Sequence, residues 1–339
     1  MTDLYLSPLI FLVGLITTII GIGILVPWLT SWDVLDLPNK RSSHTNPTIK
    51  GAGLVLVPVL AIMFLFIDYG LKLPGANKDM IMTHYIVAGL IILAAVSWID
   101  DLYGLTITIR LAVQLVVITI VLLSSYEQFY FFPSIVPVWA WFLFLLCSWA
   151  WFTNLFNFMD GVDGISAVQS FSICLGVIVI AIINGWEASG QWHSIAIAGV
   201  SLGFLWWNWH PARIFLGDVG SIPLGFLLAW LFYGLVVDGF YIQVIILPLY
   251  YIIDATLTIT IRLFKSQNIW ESHRDHFYQK AVQGGLSHDR VSLTIAFLNI
   301  FLIVFAVLAL WFPVTSLSAS IISTIFTIIY FGTRKNVGV

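Results

Sequence analysis

Long apolar runs alternate with short polar stretches along the whole chain. A helix that crosses the hydrocarbon core of a bilayer needs roughly 20 mostly apolar residues. The pattern predicts about eleven such transmembrane helices, near residues 6–30, 52–69, 82–99, 107–124, 134–156, 165–184, 192–209, 220–237, 239–263, 290–312 and 315–333. We therefore predict an all-α, polytopic integral membrane protein in which residues 1–339 form a single membrane-embedded domain.

Composition supports this class. Hydrophobic residues make up 60% of the 339 residues and charged residues only 9%, whereas soluble domains carry roughly 25% charged residues. Lipid must therefore cover most of the exterior. Arg110 lies inside the fourth run, but an arginine one turn from a helix end can reach the interface. The net charge of -3 argues against nucleic acid as a partner.

The distribution of lysine and arginine predicts the orientation, because these residues are enriched in cytoplasmic loops. With the N-terminus placed outside, twelve of the 14 basic residues lie on the inner side and only Lys72 and Lys78 lie outside. The N-terminus is thus predicted to be periplasmic and the C-terminus cytoplasmic.

The acids and histidines that lie apart from any motif are interpreted as structural. Six acids fall on the outer side and are predicted to be solvated loop ends: Asp3, Asp68, Asp79, Glu127, Glu187 and Asp238. Three histidines lie apart from other polar residues in the sequence and are predicted to be structural: His84, His193 and His210.

The inner side contains acids in patterns that structure alone explains poorly. Asp100 and Asp101 end the third predicted helix, where the negative end of the helix dipole disfavours acids by up to about 1 kcal/mol each. A divalent cation, or a proton taken from a substrate, would offset that cost. The alternative is a solvated turn that Gly104 terminates.

Asn157, Asp160 and Asp163 recur every three residues, which in a helical turn would place them along one side. Capping of the next helix would account for one aspartate but not for all three polar groups. Further along, the string 208–221 contains Gly217-Asp218. Asp218 could simply cap a helix, but the flanking glycines suggest a tight backbone near a bound group.

His273, Arg274 and His276 form a cationic cluster that could hold a pyrophosphate. A His-x-x-His zinc site is an alternative, although no cysteine accompanies it. An interfacial amphipathic helix, with Phe277 and Tyr278 towards the lipid, is compatible with either interpretation.

The basic loop that contains Arg41 and Lys50 can supply phosphate contacts or can merely reflect the cytoplasmic charge bias. Carboxylates suit Mg²⁺, and basic side chains suit phosphates. Metal-assisted phosphoryl or phosphosugar transfer, between a soluble nucleotide and a lipid phosphate at headgroup level, fits both sets. The predicted active site comprises the cytoplasmic loops 31–51, 100–106, 157–164, 209–219 and 264–289.

These motifs resemble those of the polyprenyl-phosphate N-acetylhexosamine-1-phosphate transferases. The resemblance rests on residues 100–104, 157–163, 215–221 and 273–276, in the family's order, and covers nearly the whole chain. It implies transfer of an amino-sugar 1-phosphate from UDP-GlcNAc, UDP-FucNAc or UDP-QuiNAc to undecaprenyl phosphate, with release of UMP. Where the peptidoglycan translocase of the family has three consecutive histidines, this chain has His-Arg-Asp-His. It therefore resembles the subgroup that initiates O-antigen or related surface polysaccharides.

The resemblance also implies roles for individual residues. It places Mg²⁺ or Mn²⁺ at Asp218 with Asp101, gives Asp100 the deprotonation of the lipid phosphate, and adds His273 to the catalytic set. The residues expected to bind substrate are Asn157, Asp160, Asp163, Asn208, Phe215, Arg274, His276, Lys50 and Arg41. The implied location is the bacterial inner membrane, with the active site on the cytoplasmic face; a homodimer is left open.

Three other functions compete with this one. A transporter would be expected to show inverted repeats and binding sites at the bilayer midplane, and the sequence shows neither. An intramembrane aspartyl protease could use the Gly217-Asp218 pair, but Asp218 is predicted to lie at the interface. A purely structural subunit would leave the inner clustering of acids unexplained.

Overall fold

The computed structural model describes residues 2–38, 47–71, 80–131, 136–185, 189–268 and 273–334. Helices dominate these segments, as predicted. Their bounds are α1 Thr2–Ser31, α2 Gly53–Leu65, α3 Met80–Tyr103, α4 Ile107–Ser124, α5 Val138–Phe158, α6 Ile165–Asn184, α7 Ser189–Asn208, α8 Asp218–Val237, α9 Tyr241–Ile246, α10 Leu249–Phe264, α11 Phe277–Gln283, α12 His288–Leu308 and α13 Pro313–Gly332. A π-helical turn, Phe66–Gly70, extends α2, and a 3₁₀ helix, Tyr126–Phe131, follows α4.

Nine helical segments in the described residues are long and apolar enough to cross a membrane. They coincide with nine of the eleven predicted spans. The remaining two predictions fall on α7 and on the pair α9 and α10, which Leu247 and Pro248 separate. Proline cannot donate its backbone nitrogen to a helix, so a break is expected there. The polytopic, helical character is thus confirmed, and spans at these last two segments stay predictions.

Helix α8 lies at the centre of the bundle and is buried along almost its whole length. Apolar residues occupy nearly all sides of α8, which is typical of a helix that is buried among other helices. Small residues let its neighbours approach closely. A Cβ atom on Gly53 of α2 would lie 2.3 Å from the backbone nitrogen of Gly220, and one on Gly225 would lie 2.9 Å from the Cβ atom of Phe156 in α5.

A short sheet was not predicted. Strands β1 (Leu35–Asp36), β2 (Thr48–Lys50) and β3 (Ile214–Phe215) pair in the order β1-β2-β3, antiparallel and then parallel. Beyond β2, the backbone nitrogens of Gly51 and Ala52 both donate to the carbonyl of Phe215 at 3.1 Å. The sheet therefore joins the loop before α2 to the loop before α8, which fixes where Lys50 and Asp218 lie relative to each other.

The prediction that Asp68 is a solvated loop end is wrong. Asp68 lies in the π-helical turn at the far end of α2 and is only 1% exposed. Its carboxylate accepts a hydrogen bond from Thr83 and lies 3.4 Å from Nε2 of His193, which is itself fully buried. A buried carboxylate is tolerated only with partners. His193 is structural, as predicted, but it is not isolated.

Candidate active site

The paired acids lie in the last turn of α3, as predicted. Gly104 ends the helix in the left-handed conformation (φ +70°), and its backbone nitrogen donates to the carbonyl of Asp100 at 2.8 Å. A left-handed residue after a helix is favourable for glycine because it has no Cβ atom. The turn carries both carboxylates towards the loops before α2 and α8.

Two basic residues offset the charge of the pair. Lys50 Nζ lies 3.0 Å from Asp101 Oδ1, and Arg110 Nη1 lies 2.7 Å from Asp100 Oδ2. Arg110 also lies 3.4 Å from Asp218 Oδ2, so it bridges α3 and α8. The backbone nitrogen of Leu105 donates to Asp100 Oδ1 at 2.6 Å. We name Asp100, Asp101, Asp218, Lys50 and Arg110 the acid cluster.

Arg110 was not among the predicted site residues. The sequence signal was present, since an arginine stood in the first turn of an otherwise apolar helix. From the sequence alone, such a residue is expected only to reach the membrane interface. The three-dimensional arrangement shows that it reaches two carboxylates of the site, one of them 108 residues away in sequence.

Asp218 is the first residue of α8, immediately after Gly217. Gly217 has φ +73°, and a Cβ atom there would lie 3.3 Å from both Asp101 Oδ2 and the backbone nitrogen of Gly51. The backbone nitrogen of Val219 approaches Asp101 Oδ2 at 3.4 Å. Glycine at position 217 thus permits the carboxylates of α3 and α8 to converge.

The acid cluster fits a hard divalent cation. Its three carboxylates face two basic side chains, so one negative charge is left in excess, and its candidate ligand atoms are oxygens. Mg²⁺ and Mn²⁺ prefer such ligands. Asp218 and Asp101 are the residues that would hold the ion, as the family resemblance implies.

The expectation that Asn157, Asp160 and Asp163 share one side of a helix is wrong. Helix α5 ends at Phe158, so only Asn157 is helical. Asn157 Oδ1 accepts a hydrogen bond of 2.5 Å from Ser221 in the first turn of α8. Glycines in the 157–164 segment break the helix, and the two aspartates therefore face different neighbours.

Asp160 lies beyond the end of α5. The carboxylates of Asp218 and Asp163 are near enough to interact with it electrostatically. Removal from water raises the pKa of Asp160 to about 7, and the two neighbouring carboxylates add to the rise. Asp160 is therefore about half protonated near neutral pH and can take up or release a proton when the charge around it changes.

Asp163 belongs to a separate network that contains two histidines. Its Oδ2 lies 2.6 Å from Nδ1 of His210 and accepts from the backbone nitrogen of Ala212 at 3.1 Å, while Oδ1 lies 3.1 Å from Nδ1 of His288. Burial alone would raise the pKa of Asp163, but these hydrogen bonds outweigh it and lower that pKa. His210 is therefore not isolated, which corrects the prediction.

The ligand atoms of Asp163, His210 and His288 lie within 4.8 Å of one another, which would also suit a metal ion. We interpret the group as a hydrogen-bonded network instead. The 2.6 Å separation between Oδ2 of Asp163 and Nδ1 of His210 is a hydrogen-bond length. The acid cluster remains the better cation site for a hard ion because its ligand atoms are all oxygens.

Asn208 and Phe215 were both expected to line the nucleotide pocket. The side chain of Asn208 is buried; it accepts from the backbone nitrogen of Gly164 at 2.8 Å and donates to the carbonyl of Ile214 at 2.9 Å. Asn208 therefore links the loop before α6 to strand β3. Phe215 is half-buried in β3, and its nucleotide contact stays a prediction.

The histidine loop, residues 273–276, packs beside the 157–164 segment. Tyr278 at the start of α11 donates to the carbonyl of Phe158 at 3.0 Å, and a Cβ atom on Gly161 would lie 2.4 Å from the same hydroxyl. Tyr278 is fully buried. The expectation that it faces lipid is wrong, because its hydroxyl finds a carbonyl partner in the protein interior.

The cationic character expected of the histidine loop does not extend to His273. Burial, with the nearby His276 and Arg262, lowers the pKa of His273 to about 4, so it is neutral at pH 7. The backbone nitrogen of Asp275 approaches Nδ1 of His273 at 3.3 Å. That bond assigns the proton of the neutral ring to Nε2, which makes His273 a hydrogen-bond donor rather than a cation.

The other residues of the loop are placed differently from one another. Arg274 is half-buried, and its carbonyl accepts from Gln283 at 2.8 Å. His276 is only 2% exposed and lies beneath His273, with 5.0 Å between the ring centroids. Substrate binding by Arg274 and His276 stays a prediction. Arg41 lies outside the described residues.

Comparison with known proteins bears on this arrangement. The model of glycosyl transferase family 4 matches residues 83–236. A probable undecaprenyl-phosphate N-acetylglucosaminyl 1-phosphate transferase of Bacillus subtilis is 28% identical over 298 residues, 85% of this chain and 80% of the relative. A decaprenyl-phosphate N-acetylglucosaminephosphotransferase of Mycobacterium leprae is 25% identical over 324 residues, 85% of this chain and 79% of the relative.

The chain is therefore similar to glycosyl transferase family 4 and to enzymes named as polyprenyl-phosphate N-acetylglucosamine-1-phosphate transferases. The matched region of family 4 runs from α3 to α8 and contains the three acids of the acid cluster. A phospho-N-acetylmuramoyl-pentapeptide-transferase of Shouchella clausii also matches, 29% identical over 203 residues, 55% of this chain and 60% of that relative. The two N-acetylglucosamine enzymes therefore match over more of this chain than that pentapeptide enzyme does.

Proposed function

We propose that this protein transfers N-acetylglucosamine 1-phosphate from UDP-N-acetylglucosamine to undecaprenyl phosphate and releases UMP. The observation that carries the proposal is the acid cluster, which gathers three carboxylates and two basic side chains at one end of the helices. The names of the Bacillus and Mycobacterium relatives support the donor sugar and the polyprenyl acceptor. Initiation of O-antigen or a related polysaccharide at the cytoplasmic face of the inner membrane is part of the proposal.

The net reaction forms a bond between an acceptor phosphate oxygen and the β-phosphorus of the donor. The bond from that phosphorus to the bridging oxygen breaks, and UMP leaves with the electron pair. Mg²⁺ bound at Asp218 and Asp101 would neutralise charge on the pyrophosphate and align the two oxygens.

We expect Arg110 and Lys50 to bind the acceptor phosphate. Arg110 now holds Asp100 at 2.7 Å and Asp218 at 3.4 Å, and an incoming phosphate would compete for the same guanidinium. Arg110 would then turn from Asp100 towards the phosphate. That exchange would free Asp100 Oδ2 to accept the proton of the acceptor phosphate, which is the role that the family resemblance implies.

The test is UMP release by membranes that contain the protein, given undecaprenyl phosphate and a panel of UDP-sugars, with and without EDTA. We expect UMP only with UDP-N-acetylglucosamine and acceptor together, with loss on EDTA treatment and recovery on adding Mg²⁺. Uptake of labelled donor into vesicles without UMP release would instead establish a transporter. Turnover of UDP-FucNAc or UDP-QuiNAc alone would overturn the donor assignment.

Removing single carboxylates tests the acid cluster. Asp218→Asn and Asp100→Asn should each lower UMP release at least about 100-fold, because a metal ligand or a proton acceptor is lost. Thermal unfolding in detergent should show that both variants stay folded. Normal turnover in either folded variant would contradict the assignment of that residue.

A further inference from the structure

Asp254 is a fully buried carboxylate that the proposed reaction does not use. It lies in the second turn of α10, where Tyr250 donates to its Oδ2 at 2.9 Å and Thr258 lies 3.3 Å from its Oδ1. Moving a carboxylate out of water costs several kcal/mol unless strong partners replace the water. The two hydroxyls of α10 supply only part of what an ionised carboxylate can accept.

The remaining partners of Asp254 come from the end of the histidine loop. Nδ1 of His276 lies 3.2 Å from Oδ1, the backbone nitrogen of Phe277 donates to Oδ1 at 3.0 Å, and that of Tyr278 donates to Oδ2 at 3.1 Å. One buried side chain thus holds both the His276 ring and the first backbone nitrogens of α11. Helix α11 has only seven residues, too few to be stable without such contacts.

Arg262 holds the same loop two turns further along α10. Its Nη1 bonds the carboxylate of Asp275, and its Nη2 donates to the carbonyl of Asn268 at 2.8 Å. Residues 254, 258 and 262 recur every four positions, so they lie along one face of the helix. These three residues form a polar face beneath the loop. Arg262 on this face pairs with Asp275, a residue that the three-histidine pattern does not contain.

His276 transmits this support to His273. It is buried between Asp254 on one side and the His273 ring on the other, with 5.0 Å between the ring centroids. Oδ1 of Asp254 already accepts from the backbone nitrogen of Phe277, so we assign the ring of His276 as the donor in its contact with the same oxygen. Asp254 thereby sets the ring orientation of His276 and, through it, the surface on which His273 rests.

We propose that Asp254 is a positioning residue of the transfer site, which acts through His276 and the start of α11 to hold His273 and Arg274 towards the pyrophosphate of the nucleotide-sugar donor. The inference rests on the proposed function. A donor contact displaced by as little as 1 Å can cost a large factor in rate, which is why a buried anchor beneath the loop matters to the reaction.

The first test separates donor binding from acceptor binding. Asp254→Asn keeps the size of the side chain but replaces one acceptor oxygen by a donor. We expect the KM for UDP-N-acetylglucosamine to rise about tenfold, while the KM for undecaprenyl phosphate stays within about twofold. Asp68→Asn is the matched control, because Asp68 is also a buried carboxylate beside a buried histidine, at the far end of α2. It should change neither constant.

A double-mutant cycle tests whether Asp254 acts through His276. If it does, Asp254→Asn adds little to the donor KM once His276→Gln is present, because interacting residues are not additive. Two independent, additive effects would overturn the inference, as would an equal rise in both KM values or the same rise in Asp68→Asn.

Hydrogen exchange of the backbone amides supplies a readout that needs no substrate. Asp254→Asn should speed the exchange of the amides of Phe277 and Tyr278 at least about tenfold, whereas Asp68→Asn should leave them unchanged. Unchanged exchange in Asp254→Asn would overturn the positioning role even if the wild-type enzyme turns over. If exchange is faster in Asp254→Asn but the wild-type protein never releases UMP, the proposed function would be rejected. The structural role of Asp254 in holding the start of α11 would still stand.

Discussion

At the scale of single residues, charge compensation decides how the site behaves. Each carboxylate of the paired aspartates has a basic partner, and Arg110 is shared between Asp100 and Asp218. Asp160 has no basic residue among the groups that shift its pKa. It therefore responds most directly to any positive charge that enters the site.

Binding of Mg²⁺ should consequently depend on pH through Asp160. The pKa of Asp160 is raised to about 7, so the carboxylate is mostly protonated at pH 6 and mostly ionised at pH 8. The apparent affinity for Mg²⁺ should fall by up to about tenfold per pH unit below that pKa. It is measured as the thermal stabilisation by Mg²⁺ in detergent without substrates, since the acceptor phosphate titrates in the same range.

Asp160→Asn supplies the comparison, because asparagine has no proton to lose. In this variant the part of the pH dependence that is centred near pH 7 should be lost, whereas protonation of the ligand carboxylates of the acid cluster should still weaken Mg²⁺ binding at lower pH. A variant that keeps the wild-type pH dependence would show that another group titrates, and the assignment to Asp160 would fail.

At the scale of elements, close helix contacts and the short sheet bring the loops together. Helices α2 and α8 touch at Gly53 and Gly220, immediately beside the strands that hold Lys50 and Phe215. Neither helix could approach so closely with a side chain at the contact. The spacing of the acid cluster therefore depends on a glycine contact outside it.

Gly53→Ala should separate α2 from α8. The added Cβ atom would lie 2.3 Å and 2.4 Å from backbone atoms of Gly220, which cannot move without shifting the helix. We expect a loss of roughly 1–3 kcal/mol in unfolding free energy, together with reduced UMP release. Thermal unfolding in detergent measures the first effect and the enzyme assay the second.

Gly234→Ala is the control on α8. A Cβ atom at Gly234 would meet no heavy atom within 4 Å, and alanine favours helices over glycine by up to about 1 kcal/mol. Stability should be equal or slightly higher, and activity unchanged. An equal loss of unfolding free energy in Gly53→Ala and Gly234→Ala would show that the Gly53–Gly220 contact is not specifically required for stability.

At the scale of the whole molecule, the helices are arranged so that the acid cluster and the histidine loop lie at the same end of the bundle. Tyr278 connects α11 to the end of α5, and the sheet connects β2 to the loop before α8. The basic residues of these loops carry most of the positive charge of the chain, which predicts that this end faces the cytoplasm.

Cysteine labelling tests that orientation. In a Cys147→Ser background, which removes the one exposed native cysteine among the described residues, Arg274→Cys should react only with a reagent that reaches the cytoplasmic side. Asp238→Cys, at the opposite end of α8 from the site, should react only from the periplasm. The reverse pattern would invert the predicted topology.

The sequence by itself determined the class of protein, the approximate helix positions and the motifs that carry the family resemblance. Length and apolarity decide membrane insertion locally, and Asp100, Asp101 and Asp218 stood in recognisable strings. Buried polar pairs could not be predicted from the sequence, because the burial of a residue depends on which parts of the chain pack against it. Asp68 could not be told from a loop acid, nor His210 from an isolated histidine.

Only the tertiary structure decided which charges meet. Arg110 joins Asp100 and Asp218 because α3, α4 and α8 converge, although 108 positions separate Arg110 from Asp218 in the sequence. Asp254 lies beneath the histidine loop because α11 begins against α10. Electrostatic energy depends on the distance between groups and on the water excluded around them, and both are set when the helices pack.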